Sequence, residues 1–91
     1  MSVVKKLVIT GRVQGVGFRF HTSRVANELG VTGWVRNRRD GSVEAMVAGT
    51  SAAVDKIIEW ARHGPRRAYV RTIEINDGDG TFASFDTLPT E

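Results

Sequence analysis

The stretch GRVQGVGFRFHT, Gly11 to Thr22, is where the chain changes its period. Before it, VVKKLVITGRV (Val3–Val13) is rich in Val, Ile and Leu and lacks helix signals, which reads as a strand. Leu7, Ile9 and Val13 fall on one face of that strand, Val4 and Val8 on the other. From Phe18 the residues Phe18, Thr22, Val25 and Leu29 recur at helical spacing, and Gly30 stands where a C-terminal glycine cap belongs. Gly11, Gly15 and Gly17 lie at the handover. A strand passing into a helix through a tight glycine corner begins a βα unit, from which the rest of the chain is read outward.

Downstream, VTGWVRNRRDGSVEAMVAG (Val31–Gly49) reads as a hairpin turning at Asp40-Gly41. Val35 and Asn37 share one side of its first strand, with Trp34, Arg36 and Arg38 on the other; Val43, Ala45 and Val47 resume the alternation on the second. TSAAVDKIIEWARHG (Thr50–Gly64) opens on an N-cap residue, Thr50 or Ser51, presents Val54, Ile57, Ile58 and Ala61 as an apolar face, and stops at Gly64-Pro65. AYVRTIEIND (Ala68–Asp77) is a further strand, with Tyr69, Ile73 and Ile75 expected together, and TFASFDTL offers a short fifth. The order βαββαβ predicts an α+β, ferredoxin-like two-layer sandwich: an antiparallel-type sheet with both helices on one face. Residues 1–91 are expected to form a single domain.

Composition narrows the function classes. At 41% hydrophobic and 25% charged the chain is ordinary for a globular protein. No apolar run approaches the roughly 20 residues needed to span a bilayer, and the two lysines of MSVVKKLVIT argue against a signal peptide. With no cysteine there is neither a disulfide nor a thiolate, and a cytoplasmic location is expected. Of 13 basic residues, 10 are arginine. Guanidinium groups offer a planar fork of donors to phosphates and other anions, although an arginine-rich solvated surface has the same composition.

The glycine loop can be tested against two nucleotide motifs. A Walker-type loop fails, because the spacing from Gly11 to Gly15 is wrong and Phe18 follows Gly17 where lysine belongs. The dinucleotide fingerprint fails because Phe20 occupies the place of its third glycine. The underlying physics still applies: a glycine-rich turn entering a helix aims backbone N–H groups toward one point near the positive end of the helix dipole. Arg19, at that helix start, is disfavoured by the dipole by roughly 0.3–1 kcal/mol unless an anion receives it. Spacing alone leaves open a tight corner with a surface arginine. Asn37 is likewise open between opening the NRRDG turn and orienting a water or substrate oxygen.

Other features carry less. His21 and His63 belong to no paired ligand motif, and NDGDG (Asn76–Gly80) lacks the spaced acidic ligands and closing glutamate of a calcium loop, so no metal or cofactor is expected. Trp34 and Trp60 read as core or rim residues. An RNA-recognition module has the same element order, but its stacking aromatics are missing from SVEAMVAG and KKLVIT, which excludes a nucleic-acid partner of that type.

Taken together, GRVQGVGFR, GWVRN and DGSVE, with the late FASFDTLPT, resemble the acylphosphatase family over almost the whole chain. That family hydrolyses acyl phosphates, which are mixed carboxylic–phosphoric anhydrides, without a metal. The resemblance implies that Arg19 binds the phosphate, that Asn37 positions the attacking water, and that the backbone of Gln14, Gly15, Val16, Gly17 and Phe18 forms the cradle. It implies a small-molecule acyl phosphate as substrate and inorganic phosphate or similar anions as competitive ligands, with no membrane partner and a monomeric state. A noncatalytic anion-binding or regulatory domain on the same scaffold is the alternative. Some members carry threonine after the asparagine; this chain has Arg38, which alternation turns away from Asn37.

Overall fold

A computed structural model describes residues 2–91. The elements run β1 (Ser2–Arg12), α1 (Phe18–Leu29), β2 (Thr32–Asn37), β3 (Val43–Thr50), α2 (Ser51–Ala61), β4 (Tyr69–Asp77) and β5 (Phe85–Thr87). One five-stranded sheet forms in the order β4-β1-β3-β2-β5. β3 lies antiparallel between β1 and β2, and β1 lies antiparallel between β3 and β4. Each helix therefore bridges two parallel strands across an inserted third, which is the split βαβ arrangement expected.

The core explains why the helices lie where they do. Leu7 faces Ala45 on β3, and Ala45 faces Val35 on β2; Ile9, Val43 and Asn37 form the next row in the same way. Alternation places these rows on one face of the sheet, and every member except Asn37 is fully buried. Phe18, Thr22 and Ala26 from α1 and Val54, Ile57, Ile58 and Ala61 from α2 close over them. All four apolar residues expected on α2 are thus core. On α1 the small Ala26 takes the deep position, while Val25 and Leu29 are only partly buried. The Thr50 side chain caps α2 by accepting from the Ala53 N–H at 3.1 Å. Gly30 ends α1 in the left-handed conformation, its N–H and that of Val31 donating back into the last turn.

Two details differ from the sequence expectation. β5 pairs with β2 in parallel, so the sheet is mixed. The long return from β4 brings the chain back along the direction of β2, and only a short strand is added there. Tyr69 does not share a face with Ile73 and Ile75. Between Thr10–Thr72 and Gly11–Val70 the pairing skips Arg71, and this bulge reverses the alternation. Val70 therefore packs toward the core, while Tyr69 is 67% exposed. A side chain at Gly11 would run into the Tyr69 carbonyl and the Arg71 amide, so the bulge requires glycine opposite it.

On the open face of the sheet, Glu44 is 4% exposed and held by Arg36 at 2.7 Å and Lys6 at 3.1 Å. The Arg36 guanidinium also lies 4.9 Å from the centroid of the Trp34 ring. No helix among the described residues is long and apolar enough to cross a membrane.

Candidate functional site

The loop from Val13 to Gly17 folds as it does because two of its residues are glycines. Gly15 and Gly17 have φ of 74° and 81°, a region costly for residues with a Cβ. Gly17 is the N-cap of α1 and brings no side-chain cap, and the first turn holds no acidic residue. Among the described residues, no backbone or side-chain acceptor takes the N–H groups from Gln14 to Arg19. The contrast with α2, whose N-terminus Thr50 caps, is direct. A helix start left open in this way presents donors and the positive end of its dipole to an incoming anion.

Phe18 anchors the helix start. Its ring is 2% exposed, packs against Trp60 with 5.5 Å between centroids, and lies so close to Gly64 that a Cβ there would strike it at 2.5 Å. With Phe18 fixed, Arg19 is directed to the other side of the first turn. Among the described residues no carboxylate lies within ion-pair distance of Arg19, whereas Arg24, Arg36, Arg38 and Arg62 each have one.

Asn37 approaches from the sheet. Alternation turns it to the helix-covered face, in the row of Ile9 and Val43, where that row reaches the end of β2. Its carbonyl accepts from the Glu91 N–H at 3.1 Å, while no protein hydrogen bond occupies its carboxamide among the described residues. Val13, Gly15, Gly17, Phe18, Arg19, Phe20, Asn37 and Thr87 line one cleft of about 360 Å³. The loop, the arginine and the asparagine singled out in the sequence are therefore brought together, from segments about twenty residues apart.

Three contributions escaped the sequence reading. The Gln14 side chain reaches across to the hairpin, its amide donating to the Arg38 carbonyl at 2.7 Å and the Ser42 carbonyl at 2.8 Å. It ties the glycine loop to the turn that follows Asn37; nothing local to GRVQGVG signals a bond to residues so far along. The turn is itself braced, since Asp40 accepts from both the amide and the hydroxyl of Ser42 at 2.9 and 2.6 Å. Those hydrogen bonds hold the Asp40 carboxyl below its ordinary range. Thr87 joins the cleft because β5 pairs with β2 through Val35, and Phe20 joins it from the helix rim. The His21 ring stands edge-on to Phe20, with 5.3 Å between centroids. Arg36 and Arg38 are paired with Glu44 at 2.7 Å and Glu91 at 3.4 Å.

Fold and site together define a split-βαβ sandwich with a glycine loop of open N–H donors at the start of its first helix. The acylphosphatase family model matches residues 5–87, and the chain belongs to the acylphosphatase family. It is 53% identical over 85 residues to an acylphosphatase of Azoarcus sp. (strain BH72), covering 92% of this chain and 87% of that one. An acylphosphatase structure from Coxiella burnetii superposes with a TM-score of 0.92 at 30% identity, covering 96% of this chain and 93% of the other. One from Bacillus subtilis superposes at 0.90, again at 30% identity, over 97% and 99%.

Proposed function

We propose that this protein hydrolyses acyl phosphates to a carboxylate and inorganic phosphate. Membership of the family supports the reaction; the observation that carries the mechanism is the convergence in one cleft of the open N–H run, the unpaired Arg19 and the unengaged carboxamide of Asn37. The phosphate is received by the backbone of Gln14, Gly15, Val16, Gly17, Phe18 and Arg19, and the Arg19 fork takes two of its oxygens. Asn37 holds a water in line with phosphorus, opposite the leaving oxygen. As the water oxygen bonds to phosphorus, the bond to the acyl oxygen breaks and the carboxylate leaves with the electron pair.

A carboxylate leaves readily, so no strong general acid is required. What remains is positioning and stabilisation of charge on the equatorial oxygens, which fixed N–H dipoles and a guanidinium supply. An amide is not a base near neutral pH, and the water proton passes to an oxygen of the phosphate being formed. Arg19, Asn37 and the glycine loop all belong to one chain, so the mechanism requires no second subunit.

A turnover assay on acetyl phosphate, with and without chelator, tests the proposal. Hydrolysis that is insensitive to chelator and competitively inhibited by inorganic phosphate is expected. Binding of phosphate without turnover would instead establish a noncatalytic anion-binding domain. Turnover abolished by chelator would refute the metal-free mechanism.

A further inference from the structure

The mechanism accounts for the phosphate half of the cleft and leaves its helix rim unused. Phe20 is there, 63% exposed. On α1 the residues facing the core are Phe18, Thr22 and Ala26, so position 20 turns away from it and no packing demand explains an aromatic residue. The other exposed large apolar residues, Tyr69 and Ile75, lie on β4 and do not line this cleft. The Phe20 ring is braced edge-on by His21 and otherwise open. The cleft volume falls in the range of small-molecule sites, roughly 300–1,000 Å³, and Val13 and Phe18 add apolar wall beside the loop.

Resting on the acyl phosphate reading, we propose that Phe20 recognises the acyl group and favours substrates whose acyl portion is flat and apolar, aryl above all. In-line attack fixes where that group must go. The water is held on the sheet side by Asn37, so the leaving oxygen and its acyl substituent project away from the sheet, toward the rim formed by the first turn of α1. An aryl group projecting there meets the free side of the Phe20 ring. Aromatic pairs prefer offset or edge-on contact, and His21 holds the Phe20 ring while leaving that side available.

The test compares acetyl phosphate with benzoyl phosphate, and methylphosphonate with benzylphosphonate as nonhydrolysable binding probes, on the wild type, Phe20→Ser and Phe20→Leu. In the wild type, benzoyl phosphate is expected to have a KM about three- to tenfold below that of acetyl phosphate, the range an aromatic contact carries. Phe20→Ser should remove that preference by raising the benzoyl phosphate KM, with kcat and the inhibition constant of inorganic phosphate within about twofold of wild type, and Phe20→Leu should fall between. These two constants separate loss of acyl recognition from damage to the cradle. A benzoyl-to-acetyl KM ratio that is the same in wild type and Phe20→Ser overturns the assignment. If the wild type hydrolyses neither acyl phosphate, the hydrolytic reading fails and calorimetry on the phosphonates decides for Phe20. A wild-type preference for benzylphosphonate that Phe20→Ser erases upholds the recognition role; equal binding of the two overturns it.

Discussion

In the proposed mechanism Asn37 and Arg19 divide the work differently, and substitution should separate them. Asn37 ends an otherwise apolar row, with Ile9 and Val43 beside it, so its carboxamide reaches the cleft without a strong demand on folding. Asn37→Ala is expected to keep competitive inhibition by phosphate while losing about 10²–10³ in kcat, the cost of one preorganised transition-state contact. Arg19→Ala should lose both phosphate affinity and turnover, because its guanidinium serves the bound state as well as the transition state. Steady-state kinetics with inorganic phosphate as inhibitor measures both quantities. Near-normal turnover in Asn37→Ala would remove the water-positioning role.

At the scale of elements, what the sequence makes legible is whatever a local period or cap encodes. The apolar face of α2, the Thr50 cap, the Gly30 stop and the alternation from Val43 to Val47 are local signals, and each appears where expected. Features that depend on distant pairing do not. The bulge at Gly11 exists only against β4, the direction of β5 only against β2, and the cleft contributions of Thr87 and Phe20 only once the sheet is assembled. Arg19 and Asn37 were legible together through family resemblance, since spacing alone left each with an ordinary structural explanation. Gln14 belongs here as the link between two elements. Gln14→Ala removes two hydrogen bonds and is expected to cost about 1–3 kcal/mol, each net bond being worth roughly 0.5–1.5 kcal/mol. For a domain of this size each kcal/mol lowers Tm by roughly 4–8 °C. Because the bond aligns the loop with the Asn37 turn, kcat should fall more than phosphate affinity, which thermal melts and inhibition kinetics together will show. A loss of stability with unchanged kcat would make the bond purely structural.

For the whole molecule, the open face of the sheet contributes through Glu44. Burial pushes its carboxyl up, but the hydrogen bonds and charges of Arg36 and Lys6 prevail and hold it below its ordinary value of 4.5. The unfolded chain therefore takes up this proton at higher pH than the folded one, and acid favours unfolding. The contribution is complete above the ordinary value and is lost as pH falls through the lower folded-state value. Urea midpoints measured from neutral pH to pH ~3 should drop once the pH falls below that ordinary value of 4.5, and Glu44→Gln should flatten part of that drop. Parallel curves would show that Glu44 does not contribute to the acid limb. The uncapped start of α1 acts on the same global equilibrium from the other side of the molecule. Any solute that fills those donors adds its own binding energy to that of the native fold, by mass action. With phosphate bound there as proposed, common laboratory buffers cease to be neutral bystanders: a midpoint taken in phosphate would exceed one taken in a noncoordinating amine buffer by the energy of that binding.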